Sequence, residues 1–154
     1  MAKNEKIIVE LIKAYWMEME TIQNYIANSQ NLDGLKAEEI KKALEADVPT
    51  ELGHAQSLAK RVRTLGGRIP GSKEFKAAQT TLQPPADSTD IVTVINGVID
   101  AENGAIKQYK KIIDMADGVD YPTQDLCVRL LSDEEEHCRE FEGFLKEFSA
   151  KKKK

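Results

Sequence analysis

The stretch Asp47-Val-Pro-Thr-Glu-Leu-Gly-His-Ala-Gln-Ser-Leu58 sets a helix breaker two residues before a Glu-x-x-His pair. Glu51 and His54 have the one-turn spacing with which a helix points two metal ligands the same way. Pro49 lacks the N–H that would bond the Glu45 carbonyl, and it disfavours helical geometry at Val48. The spacing therefore predicts a helix that bends at Pro49 while Glu51 and His54 stay aimed at one place, with a fresh helix start at residue 48 as the alternative. A second copy of the pattern arbitrates. Glu134 and His137, inside Asp133-Glu-Glu-Glu-His137, repeat the pair, and they account for the chain's other histidine. With Glu at about one residue in ten, finding both histidines three residues after a Glu has odds on the order of one in a hundred. Two such pairs call for helices to carry them.

Apolar spacing supplies those helices. Ile8, Leu11, Ile12, Tyr15, Ile22, Tyr25 and Ile26 mark a helix over about residues 4–30, and the segment from Lys36 to Gly66-Gly67 marks a second. Ile91, Val94, Ile95, Val98, Ile99, Ile106, Tyr109, Ile112 and Ile113 mark a third, capped by Ser88 or Asp90. Leu126, Cys127, Leu130, Leu131, Phe141, Phe144, Leu145 and Phe148 mark a fourth, from about Thr123 to Ser149. Between the second and third lies a Gly- and Pro-rich stretch, with Ser72 as the expected cap of a short helix from Lys73 to about Leu82. Short, long and short connections describe an all-α four-helix bundle with one long crossover containing a short helix. Residues 1–150 are expected to form one domain, followed by the basic tail Lys151–Lys154.

Each helix carries one Glu in phase with its apolar stripe. Glu18 stands three after Tyr15 and seven before Tyr25, whereas Glu20 has Trp16, Gln23 and Asn24 as helical neighbours and is expected to face outward. Glu51 follows Leu44 and Val48; Glu102 lies between Val98 and Ile106; Glu134 is in line with Cys127, Leu130 and Phe141, while Glu136 faces water. Four ionised carboxylates in one core cost several kcal/mol each unless a cation neutralises them. Six oxygen and imidazole donors, Glu18, Glu51, His54, Glu102, Glu134 and His137, suit two divalent first-row metals, with iron or manganese favoured over a thiolate-rich zinc site. The chain also repeats itself. Glu18 precedes Tyr25 by seven and Glu51 by 33, and Glu102 precedes Tyr109 by seven and Glu134 by 32. Pseudo-two-fold symmetry then leaves Glu51 and Glu134 to bridge two ions, with Tyr25 and Tyr109 as candidate hydrogen-bond donors to the carboxylates and plain bundle packing as their alternative role.

Bulk properties narrow the partners. The 154 residues carry a net charge of -4, which excludes a broad basic face for nucleic acid or anionic lipid. No apolar run reaches the ~20 residues of a membrane span, and the N-terminus lacks a signal peptide, so a cytoplasmic protein is expected. Cys127 and Cys138, eleven residues apart on one helix, are too far apart to bridge and read as buried thiols.

Over nearly the whole chain these residues resemble the ferritin-like superfamily, and the six donors look like the intrasubunit di-iron ferroxidase centre of bacterioferritins. The resemblance implies two iron ions per subunit, Fe(II) oxidised with dioxygen or hydrogen peroxide, and Fe(III) stored as mineral inside a hollow homo-oligomer. Leu52 stands where bacterioferritins place their haem-ligating methionine, so no haem is expected by that route. The chain leaves no room for the short fifth helix of those proteins, which argues against a 24-subunit shell. A helix in Ser72-Lys-Glu-Phe-Lys-Ala-Ala-Gln-Thr-Thr-Leu82 is similar to Dps proteins, whose shells have twelve subunits, and the resemblance favours a Dps-like mini-ferritin. Alternatives from the same fold are a di-metal peroxidase or manganese catalase-like enzyme, and a DNA-protecting protein using the Lys151–Lys154 tail in a weak, salt-sensitive contact. The Cys-x-x-Cys pairs of a rubrerythrin-like protein are missing.

Overall fold

The computed structural model describes residues 3–150, and the tail Lys151–Lys154 lies outside the described residues. Four long helices account for most of it: α1 (Lys3–Asn31), α2 (Glu38–Thr64), α3 (Ile91–Ala116) and α4 (Tyr121–Ala150). Helices α1 and α2 pack as one hairpin, α3 and α4 as the other, and α1 packs against α3. The core lines up on strict four-three spacing. In α1 Ile7, Leu11, Ala14, Glu18, Thr21, Tyr25 and Asn28 follow that spacing among the buried residues; in α3 Ile91, Ile95, Val98, Glu102, Ala105, Tyr109, Ile112 and Ala116 do. Each set places a Glu and, seven residues on, a Tyr at the same steps. Ile26, expected on the α1 stripe, faces solvent instead.

Helix ends follow local chemistry. Asp90 caps α3 by accepting from the Thr93 N–H and hydroxyl. Helix α2 closes with Gly66 at φ +86, the Gly67 N–H bonding the Val62 carbonyl and the Gly66 N–H the Arg63 carbonyl, a Schellman closure. Pro49 does not start a new helix. Helix α2 runs unbroken through it, and both Pro49 and Glu45 lie on the exposed face, so the carbonyl that loses its donor faces water rather than the core.

The crossover differs from expectation. The helix expected over Lys73–Leu82 is absent, and a single 3₁₀ turn, Ser72–Glu74, replaces it, without a side-chain cap from Ser72. The chain instead runs extended along α1. Gly67 sits against Ile8, Ala78 and Gln79 donate backbone N–H groups to Glu20, the Leu82 carbonyl accepts from Asn28, and the Ser88 carbonyl accepts from the Asp33 N–H. The Glu20 carboxylate is the reason: it takes the amides that a helix would need for its own ladder, and a charged acceptor makes the stronger bond. Glu20 is therefore buried, against the reading that placed it in water, but beneath the crossover rather than in the bundle core.

Candidate metal centre

Midway along the bundle the two hairpins bring Glu18, Glu51, His54, Glu102, Glu134 and His137 together, all buried, with Glu134 fully so. Their donor atoms form two groups that can each hold a metal ion: Glu18, Glu51, His54 and Glu134 in one, and Glu51, Glu102, Glu134 and His137 in the other, every atom within 4.8 Å of the rest. Glu51 and Glu134 belong to both. Donors sharing one ion at ~2.0–2.2 Å lie at most ~4.4 Å apart, so a few tenths of an ångström of closure brings each group to bonding distance. The imidazole rings lie 6.5 Å apart and nearly parallel.

Each terminal carboxylate is held by the other hairpin. The Tyr25 hydroxyl of α1 donates to Glu102 of α3, and the Tyr109 hydroxyl of α3 donates to Glu18 of α1. This exchange is the contact the repeat predicts for the two tyrosines. It ties α1 to α3 at the level of the centre and fixes one oxygen of each carboxylate.

Two carboxylates beside the histidines escape the sequence reading. His54 Nε2 lies 2.9 Å from Asp133 Oδ2, and His137 Nε2 faces Asp47 Oδ1 at 3.6 Å. Asp47 carried a signal: it falls on the buried four-three set of α2 with Leu44, Glu51 and His54, where the repeat places Leu130. Asp133 carried none, because its side chain is half exposed and out of phase with the stripe. A surface depression of about 500 Å³ between α2 and α4, lined by Gly53, His54, Ser57, Ser132 and Asp133, brings solvent to this edge.

Burial dominates the electrostatics. It raises Glu18 and Glu102 well above the usual carboxylate range, reinforced by Glu51 beside the first and Glu134 beside the second. Burial also pushes Glu51 and Glu134 upward, but their protonated neighbours outweigh it and both end below the usual value, through Glu18 and His137 beside Glu51 and the two histidines beside Glu134. Burial lowers the histidines, yet the carboxylates around them win: His54 is raised strongly by Glu134, Glu18 and Glu51, and His137 is raised to about 10 by Glu134, Glu51 and Asp47. Protons thus occupy the space between the carboxylates that cations would otherwise neutralise. Among the described residues, five buried side-chain atoms lack a hydrogen-bond partner, and three of them, Glu51 Oε1, Glu134 Oε2 and His137 Nδ1, converge on the second group. His137 Nδ1 is 3.0 Å from Glu51 Oε1, but off the line of a hydrogen bond. Inward-facing carboxylate oxygens, with an imidazole nitrogen that offers its lone pair once its proton leaves, fit a hard or borderline divalent cation.

The ferritin-like domain model matches residues 9–150. The chain belongs to the ferritin-like family. Among curated relatives of this ferritin-like chain, a DNA protection during starvation protein from Pyrococcus furiosus is 31% identical over 144 residues, spanning 92% of this chain and 77% of that protein. A bacterioferritin from Desulfovibrio desulfuricans is 26% identical over 142 residues, spanning 92% and 75%. Among solved structures, the dodecameric thioferritin from Bacteroides fragilis, described as bacterioferritin-related, superposes with a TM-score of 0.88 at 24% identity, covering 97% of this chain and 90% of that one. A ferritin-like diiron-carboxylate protein from Bacillus anthracis gives 0.83 at 22% identity, covering 94% and 99%. The ferritin-like bundle explains why the two hairpins meet at mid-height, where in-phase carboxylates from four helices share one cavity. Both cysteines are free and buried, and burial pushes the Cys127 thiol up to about 12, so it packs rather than reacts. No described helix is long and apolar enough to cross a membrane.

Proposed function

We propose that this chain oxidises Fe(II) at the buried six-residue centre and stores the Fe(III), acting as a ferroxidase in a hollow homo-oligomer. The observation that carries the reading is the pair of donor groups sharing Glu51 and Glu134, a geometry that seats two divalent ions a few ångströms apart. Iron is the substrate: two Fe(II) give up one electron each, and either dioxygen takes both with two protons to become hydrogen peroxide, or hydrogen peroxide takes both with two protons to become two waters. Glu18 and Glu102, each oriented by a tyrosine, cap the two positions; Glu51 and Glu134 join them; His54 and His137 supply neutral nitrogen donors once their protons leave. Burial of every donor residue keeps solvent to the His54 edge of the centre. Iron fits the donor set better than softer metals, and manganese would bind the same ligands.

Stopped-flow mixing of Fe(II)-loaded protein with dioxygen or peroxide tests the reading. A fast oxidation phase is expected in the wild type and its loss in Glu51→Ala and His137→Ala; wild-type kinetics in both variants refute it. Storage is separable from redox turnover. Retention of far more than two irons per chain after loading and gel filtration supports a mineral, whereas a peroxidase or catalase-like protein holds only ~2. The resemblance to twelve-subunit shells favours a dodecamer over a 24-mer, which native mass spectrometry decides.

A further inference from the structure

Along every long helix the buried donors stand between two apolar clusters, one containing Leu11, Leu58 and Ile112, the other Leu44, Val98 and Phe141. On the face opposite the α2–α4 depression, α1 and α3 are stitched together at two levels. Toward one end Gln108 Nε2 donates to the Glu10 carbonyl and carboxylate, and Lys111 Nζ donates to the same carboxylate at 2.6 Å. Toward the other end the crossover lies in the groove, with its Ala78 and Gln79 amides on Glu20, its Thr81 hydroxyl on Asp100 and its Thr81 carbonyl pressed against Gly97. Between these levels a cavity of about 240 Å³ opens at the height of the six donors, lined in part by Met17, Ala101 and Gly104, with exposed Lys13 and Asp100 at its rim.

Met17 and Ala101 each precede a buried carboxylate, Glu18 and Glu102, by one residue, and both are themselves half-buried. Gly104 contributes no side chain. A Cβ there would stand 3.5 Å from Met17 Cε, so the thioether end of Met17 lies over the gap that the glycine leaves. A methionine side chain is unbranched and moves among its rotamers at little cost. A hydrated divalent cation gains nothing on this floor, because a thioether, a methyl group and bare backbone cannot replace its water shell, and Lys13 at the rim repels it. The α2–α4 depression suits the cation instead, with Ser57, Ser132 and Asp133 beside His54. Dioxygen has the opposite preference, being uncharged and apolar and at home in an apolar cavity as xenon is. We infer that dioxygen reaches the centre between α1 and α3, through the cavity over Met17, Ala101 and Gly104, with the Met17 side chain as its gate, on the face opposite the one that suits cations. This rests on the reading of the centre as a ferroxidase.

Mixing full-length, Fe(II)-loaded protein with dioxygen or with hydrogen peroxide tests the gate, because peroxide is polar and can follow water to the His54 edge. Gly104→Leu fills the gap while replacing a helix-interior glycine by a good helix former. It is expected to slow oxidation by dioxygen at least ~tenfold, and to leave oxidation by peroxide and anaerobic Co(II) affinity within about threefold of the wild type. Adding Met17→Ala to Gly104→Leu returns the missing space, and the dioxygen rate is expected to recover to within about threefold. Xenon reads the cavity without turnover: crystals under xenon pressure are expected to hold an atom against Met17, Ala101 and Gly104 in the wild type and none there in Gly104→Leu. An unchanged dioxygen rate in Gly104→Leu, equal slowing with both oxidants, no recovery in the double variant, or a wild-type cavity without xenon overturns the entrance while leaving the ferroxidase reading intact. A wild type that binds Co(II) but oxidises Fe(II) with neither oxidant overturns that reading, and the entrance with it.

Discussion

Loading the centre with two redox-inert divalent ions, Zn(II) for example, is expected to expel about four protons. The number follows from the charges. Glu51 and Glu134 are held ionised, Glu18 and Glu102 are held protonated, and His54 and His137 both carry their second proton, so two negative charges meet two positive ones. A buried cluster tolerates little net charge, and among these six side chains the charges cancel. Two divalent ions supply four positive charges, which balance four ionised carboxylates only if the protons on Glu18, Glu102, His54 and His137 depart. Four protons for two ions makes the two-ion binding constant rise roughly 10⁴-fold per pH unit, or about 100-fold per ion. The sign is fixed by the raised values: the protons are present at low pH and compete with metal, and the slope flattens as pH climbs through them, His137 at about 10 being one. Calorimetric titration in two buffers of different ionisation enthalpy reads the proton count directly. Release of one proton per ion or fewer, with a correspondingly shallow pH dependence, would refute the reasoning and mean that the carboxylates stay ionised together without a counter-charge.

Three further outcomes test the scaffold. Arg61 Nη2 donates to both oxygens of Asp120 at 2.6 and 2.8 Å, and its Nε to Thr123, in a largely buried cluster at the start of α4. Asp120→Ala should cost about 3–5 kcal/mol by stranding the guanidinium. Burial raises the Asp120 carboxyl, but Arg61 and Thr123 outweigh it and hold it below the usual range. Its contribution is therefore present above the ordinary carboxylate pKa and lost as pH falls through the folded value, and urea midpoints measured from pH 7 downward should show that loss in the wild type only. Glu20→Ala should leave the bundle folded but free the crossover, with at least tenfold faster hydrogen exchange at Ala78 and Gln79, since each bond to a charged acceptor contributes ~1.5–3 kcal/mol. One glycine pair should give opposite signs in thermal melts. A Cβ on Gly143 meets nothing within 4 Å, so Gly143→Ala should stabilise by about 0.5–1 kcal/mol, whereas a Cβ on Gly97 would fall 2.5 Å from the Thr81 carbonyl oxygen, so Gly97→Ala should destabilise by ~1–3 kcal/mol.

The clustering of the six residues with the two tyrosines was legible because its signal is redundant. A Glu buried on an apolar stripe needs a counter-charge, a His one turn later narrows the choice, and the second hairpin repeats both at nearly the same interval. Phase also separated Glu134 from its neighbour Glu136, which the structure leaves exposed. Asp47 was readable by the same logic, since it falls on the four-three set of α2 as surely as Glu51 does. No His follows it one turn on, so the pair signal does not mark it. Asp133 could not be read. Its role depends on the length of a side chain reaching between helices, and nothing in helical phase encodes that reach.

Periodicity measures which way a side chain points from its own helix, and it is silent on what lies outside. Glu20 points away from the bundle axis as its neighbours suggest, but the crossover covers that face and turns an outward carboxylate into a buried one with three backbone hydrogen bonds from two amides. The same fact removes the short helix. Residues 73–82 have the composition of a helix, yet Ala78 and Gln79 give their N–H groups to Glu20, and Gln79 Nε2 adds a bond to Thr21. The segment exchanges a short helix of its own, which at ten residues is marginal in water, for anchorage along α1. Ile26 shows the converse. It sits one step outside the four-three set, as Ile8, Ile12, Tyr15 and Ile22 do, but those four are half-buried whereas Ile26 is exposed. The errors share one cause: the outer surface of α1 is defined by a segment more than forty residues away in sequence, and a reading confined to one helix at a time has no means of seeing it.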